Sequence, residues 1–198
     1  YSPSEFLVHV GDIFSGSTPC DEYRYSQVAD VLKQLAVPAW MCPGDNETSD
    51  CADPATGWLY WTRYFLNLEH NFCGTPTHEH QTVRPENFAF VSKGVLFVGL
   101  NLVGGSVPNS LQQDDADWTI QQLQQKASQV RSAVIFAQGG PNGRDLFFNQ
   151  FKPAAAAFAK PILFIHGDGH SWIDDHPFSS APNVRRIQVE RGTTPPIQ

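Results

Sequence analysis

Short apolar runs alternate along this chain with stretches whose apolar residues recur every three or four positions. Phe6–Val10 is the first run and reads as a strand broken by Gly11-Asp12. Val28, Val31, Leu32 and Leu35 keep helical spacing up to Pro38. Val37–Cys42 reads as a second strand, closed by Pro43-Gly44-Asp45. Trp58 to Leu68 predicts a helix with an aromatic stripe, a pattern that packs a core. His70 to Asn87 is polar and interrupted by prolines, which predicts a long loop. Phe88–Val91 and Val95–Leu100 flank Ser92-Lys93-Gly94 and form a hairpin signal. Asp114 to Gln129 predicts a helix, Ala133–Ala137 a strand, and Phe147 to Lys160 a helix with Pro153 placed to split it. Ile162–Ile165 and Val184–Val189 are the last strands, and the tail from Gly192 to Gln198 reads as loose.

Strand–helix–strand units around a central hairpin favour an α/β domain, with one mixed sheet or with two sheets packed between helices. There is no repeat and no linker, so the expectation is a single domain over residues 1–198. Apolar residues at 41% and charged residues at 17% suit a folded chain. The net charge of -7, with no Lys/Arg run, argues against binding along a nucleic-acid backbone. An acidic chain can instead hold cations where its carboxylates meet. No run is long and apolar enough to span a membrane.

Cys20, Cys42, Cys51 and Cys73 lack C-x-x-C spacing, which disfavours a zinc knuckle. Free thiols and one or two disulfides both remain open; disulfides would suit a secreted or lumenal protein. Asn46-Glu47-Thr48 matches a glycosylation sequon, which we discount because Asn46 falls inside a candidate site.

One feature recurs where strands end. Val10 runs into Gly11-Asp12, Cys42 into Gly44-Asp45-Asn46-Glu47, Ala137 into Gln138-Gly139-Gly140, and Ile165 into His166-Gly167-Asp168-Gly169-His170. Ligands of open α/β sheets bind outside the carboxyl ends of the strands, so Asp12, Asp45, Gln138, Asp168 and His170 have a route to one point. A mostly oxygen donor set there favours one or two hard divalent cations such as Mg, Mn or Ca over a zinc-only site. Such ions clamp a phosphoryl oxygen and make hydroxide available near neutral pH.

The ordered set G-D, P-G-D-N-E and G-D-G-H resembles the calcineurin-like metallophosphoesterases, over Gly11 to His170. The resemblance implies an α-β-β-α sandwich of two mixed sheets between helices. It implies hydrolysis of a small phosphorylated substrate with divalent ions among Mn, Mg, Fe, Zn and Ca. Asp12 matches the bridging carboxylate, Asp45 a metal-binding Asn, Gln138 a metal-binding His, and Asp168 and His170 the two histidines of the last motif. Asn46 stands where the family has a His that contacts phosphate or protonates the leaving group, which an amide cannot do as an imidazolium does. The family's opening D-x-H strand has no counterpart, so the chain is expected to be N-terminally incomplete. Asp12, Asp45, Gln138 and Asp168 are then expected to hold metal better than Asp12 with His170. A degenerate relative with a binding or structural role is the alternative. Cys20 with Cys51 is the expected pairing, because both flank the metal-side loops.

Other residues have plainer readings. His166 reads as a satisfied core histidine, and His78-Glu79-His80 as a solvated surface without H-E-x-x-H spacing. Arg84 and Arg144 either bind a substrate phosphate as bidentate partners or, more plainly, are surface arginines, and Asp174-Asp175-His176 either shape the rim of the site or form a polar turn. Asn101 either orients a site residue or ends the hairpin. No G-x-S-x-G elbow and no Walker loop is present.

Overall fold

A computed structural model of the chain describes residues 4–190 and 192. The expectation of a loose tail falls almost wholly outside them. In chain order the elements are β1 (Leu7–His9), α1 (Glu22–Leu32), β2 (Ala39–Met41), α2 (Pro54–Phe65), a 3₁₀ turn (Leu68–Asn71), β3 (His78–His80), β4 (Phe88–Ser92) and β5 (Val95–Gly99). There follow α3 (Asn109–Lys126), β6 (Ser132–Phe136), α4 (Asp145–Phe158), β7 (Ile162–His166), β8 (Ile173–Asp175) and β9 (Val184–Gln188).

Among the described residues β1 and β2 pair in parallel as a small sheet, and a second sheet of seven strands has the order β3-β4-β5-β6-β7-β9-β8. Its centre is parallel from β5 through β6 and β7 to β9, and its flanks β3-β4-β5 and β8-β9 are antiparallel. Period-two alternation explains the layers. Leu96, Val98, Ala133 and Ile135 face a core shared with Trp118 of α3 and Phe147, Phe148 and Phe151 of α4. The alternate residues Phe97, Val134 and Phe136 face the small sheet, where Trp40 stacks on Phe90 at 4.3 Å. On the far side of the small sheet, Tyr25 and Ala29 of α1 and Trp61 and Phe65 of α2 cover Ala39 and Met41. The molecule is thus an α/β sandwich layered helices, small sheet, large sheet, helices.

Local chemistry sets the element ends. The Asp21 side chain accepts from Arg24 N at the start of α1. Asp53 does the same for Ala55 N ahead of Pro54, which needs no partner in a first turn. Lys93 and Gly94 turn the β4–β5 hairpin with φ of 48° and 74°.

Three expectations need correction. The stretch His70–Asn87 is not one loop, because it contains β3. Asp174 and Asp175 lie on β8 and pair with Arg185 and Arg186 of β9 rather than forming a turn. α4 runs unbroken through Pro153, held by its buried Phe147, Phe151, Ala155 and Phe158; tertiary packing outweighs the missing backbone bond.

Candidate functional site

The parallel strands aim their carboxyl ends at one edge, and the loops beyond them are tied together. Gly167 N and Asp168 N both donate to Gln138 O at 3.0 Å, joining the ends of β6 and β7. Gly139 N donates to Leu102 O at 2.7 Å, adding the loop after β5, and Cys42 N donates to His9 O at 2.8 Å across the small sheet. Gly11 and Gly44 allow the β1 and β2 loops to touch: a Cβ on Gly11 would sit 2.7 Å from Gly44 Cα. Asp12 follows in the left-handed region at φ 59°, which a short polar side chain tolerates.

Four of the expected residues meet there. Gln138 Nε2 donates to Asp12 Oδ2 at 3.1 Å and to Asp45 Oδ1 at 2.9 Å. Gln138 Oε1 accepts from Gly104 N. Gly104 is the floor of the cluster: a Cβ there would overlap Asp45 Oδ2 and come within 3.1 Å of Asp168 Oδ1. Asp168 Oδ2 lies 3.5 Å from Arg144 Nη2. The group therefore gathers Asp12, Asp45, Gln138 and Asp168 around residue 104, with one guanidinium at its side. Gln138 enters it as a donor, because the Gly104 N–H requires the amide oxygen. Asp12, Asp45 and Asp168 do not bring one oxygen each within 4.8 Å of one another; among the described residues the three side chains whose ligand atoms lie that close are Glu69, His70 and His78, with one carboxylate oxygen and two ring nitrogens.

Crowded acids in a half-buried site resist ionisation. Burial first, and then the charge of Asp12, push Asp45 up to about 7. Burial also raises Asp12, against hydrogen bonds from Gln138 and Asp45. Arg144 is held below its ordinary value by burial, opposed by the charges of Asp168 and Asp45.

Whether a divalent cation fits is answered by the donors. Asp12 Oδ1 is buried with no hydrogen-bond partner. The carboxyls of Asp12 and Asp45 repel, and a dication relieves that repulsion. Both features fit a hard cation on oxygen ligands.

The other two expected residues behave differently. His170 is exposed in the left-handed region at φ 54°; its backbone N–H bonds Gly167 O, and its side chain makes no hydrogen bond or ion pair. Asn46 donates its side-chain amide to Phe14 O at 3.0 Å, locking the loop after Asp12.

Arg144 corrects the surface reading: it is only 4% exposed, with its Nε donating to Val103 O at 2.8 Å. Arg84, also 4% exposed, pairs with Glu86 and Asp115 instead of meeting solvent. Asn101 ends the hairpin, donating to Glu86 Oε1 at 2.8 Å. His166 is buried as expected but not satisfied, since neither ring nitrogen has a partner.

Glu47 was visible in the G-D-N-E stretch without a role. It is fully buried and accepts from Gly44 N at 2.7 Å, Asp12 N at 3.2 Å and Ile13 N at 3.3 Å, lacing the two aspartate loops together. Burial and the nearby Asp12 charge push its carboxyl up to about 8. A disulfide between Cys20 and Cys51 closes the same pair of loops, as expected, and Cys42 and Cys73 are free. A cleft of about 550 Å³ opens beside the cluster between Thr48 and Val103, walled by Trp58, Leu66, Val107 and Leu111.

No protein-family model matches the chain, and no curated protein matches it. Among solved structures it is similar to a chain described as "GAP50 the anchor in the inner membrane complex of Plasmodium", with a TM-score of 0.57 and 10% sequence identity. The match covers 96% of this chain and 62% of that one, so the present chain spans less than two thirds of its neighbour's length. At that identity the likeness concerns the fold alone: this chain shares the α/β architecture of the GAP50 chain over nearly its whole extent.

Proposed function

We propose that the chain hydrolyses phosphoric esters with a divalent cation held at Asp12 and Asp45, flanked by Asp168. The observation that carries this reading is the approach of Asp45 and Asp168 to each other at Gly104, with Asp12 tied to Asp45 through the Gln138 amide. The ion would neutralise phosphoryl charge and make bound water acidic. Gln138 orients the two carboxyls, and Glu47 fixes the loops that carry them. Arg144 offers a guanidinium edge for a phosphate oxygen. Asn46 holds the first loop through Phe14, so its contribution is positional. The apolar cleft beside Thr48 and Val103 suits the organic part of an ester. The Cys20–Cys51 bridge fits a secreted or lumenal setting.

A second reading is favoured by a specific observation. The Gln138 amide already bonds one oxygen of Asp12 and one of Asp45, which would suit a degenerate relative with a binding or structural role. Mn²⁺ calorimetry joined to assays on p-nitrophenyl phosphate and its diester separates the two. The hydrolase reading expects Mn²⁺-dependent turnover that Asp45→Asn lowers at least about 100-fold (~2.7 kcal/mol). Mn²⁺ binding with no turnover on either ester moves the assignment to the second reading. Two equal, tight sites would contradict a centre built without His170.

A further inference from the structure

A second cluster lies away from the carboxylates, where the 3₁₀ turn meets the edge strand β3. His78 and His80, two apart on β3, share a face, while Glu79 between them pairs with Lys126 on the other. Both histidines turn to Glu69, which is 2% exposed, so the solvated-surface reading of this stretch does not hold. His70 arrives from the 3₁₀ turn with a side chain 61% exposed.

The hydrogen positions follow from the partners. His78 Nδ1 sits 2.9 Å from Pro76 O, and His80 Nδ1 sits 2.5 Å from Pro85 O. A carbonyl only accepts, so each Nδ1 carries a hydrogen, and a neutral ring then presents a lone pair at Nε2. An outer carbonyl of this kind is what orients a metal-binding histidine. His80 Nε2 lies 3.0 Å from Glu69 Oε1. Its ring holds that carboxylate in place from the β3 side.

The remaining three atoms form a nearly equilateral triangle. His70 Nε2 to His78 Nε2 is 3.3 Å, His78 Nε2 to Glu69 Oε1 is 3.4 Å, and His70 Nε2 to Glu69 Oε1 is 3.5 Å. His78 Nε2 and Glu69 Oε1 are both acceptors and repel this close unless a proton on His70 Nε2 or a cation joins the three atoms. A tetrahedral ion with bonds of ~2.0–2.1 Å has ligand–ligand edges of about 3.4 Å, which is the triangle observed. We propose that Glu69, His70 and His78 form a site for a borderline divalent metal of the Zn²⁺ class, with a fourth position reached from solvent beside His70. Two imidazoles and one carboxylate suit such an ion better than Mg²⁺ or Ca²⁺. Bound there, it fastens β3 to the 3₁₀ turn and closes the chain between His70 and His78. This site shares no residue with the carboxylate cluster and does not depend on its function.

Co²⁺ titration of the full, tag-free chain tests the proposal, because tetrahedral Co²⁺ has intense visible bands and octahedral Co²⁺ on carboxylates does not. The expected result is one equivalent of tetrahedral Co²⁺, displaced by Zn²⁺, with the bands unchanged in Asp45→Asn. His70→Ala removes an exposed ring and is expected to leave the circular dichroism spectrum unaltered while weakening Co²⁺ at least about 100-fold. Absence of the bands, or equal affinity in His70→Ala, overturns the proposal and leaves the triangle held by a proton.

Discussion

Position 104 has room for a hydrogen and nothing larger. A methyl group there would meet Asp45 Oδ2 and Asp168 Oδ1 together, and the Gly104 N–H is what turns the Gln138 amide. Gly104→Ala is expected to cost about 1–3 kcal/mol of stability by overpacking and to weaken Mn²⁺; chemical denaturation and calorimetry on one preparation would show both. Unchanged binding in the variant would mean that the carboxyls do not depend on this floor. Asp12, Asp45, Gln138 and Asp168 were legible in the sequence because each follows an apolar run and stands beside or near glycine. Gly104 was not, and Arg144 was legible as a candidate for phosphate but not as a buried side chain. They lie in loops without periodicity, and only tertiary packing buries the guanidinium. The protons of His78 and His80 were equally invisible, since the carbonyls that set them belong to Pro76 and Pro85, whose approach depends on the segments before and after β3.

The elements divide by apolar pattern in how well the sequence foretold them. The hairpin β4–β5, the helices and the parallel strands carry enough periodicity to be recognised. β3 and β8 span three residues each and are polar, so their alternation cannot be told from a loop, whereas the equally short β1 and β2 lie inside apolar runs and were recognised. Pro153 is a case of the opposite kind, a strong local signal overruled by the apolar face of α4. Replacing it restores a backbone donor, so Pro153→Ala is expected to raise the melting temperature. A fall would show that the exposed proline ring stabilises the chain by restricting its unfolded state. The Cys20–Cys51 bridge joins residues 31 apart and constrains the unfolded chain. Cys51→Ser is expected to cost about 2–4 kcal/mol in denaturant titrations under oxidising conditions. A variant equal in stability to the parent would remove the bridge from the account of the loops.

At the scale of the whole molecule, two buried imidazoles link stability to acidity. Burial lowers His9 and His166 from 6.5 to about 4. Unfolded, both take up protons near their ordinary value, so the unfolded chain binds more protons between the two limits and gains on acidification. The contribution of these two groups is therefore fully present above about 6.5 and is lost as pH falls from there to about 4, opposed in the same window by Asp45 and Glu47, whose raised carboxyls take up protons in the folded state. Melting curves from pH 7.5 to 4 are expected to show the parent chain losing stability relative to His166→Leu; a constant difference between the two would exonerate this histidine. The layered sandwich also ends in a particular way. The wide sheet stops at β3 on one side and β8 on the other, each barely one stride long and studded with His, Glu or Asp. Neither border offers a neighbouring molecule a continuous ladder to extend, so concentrated solutions should resist fibril growth through these margins.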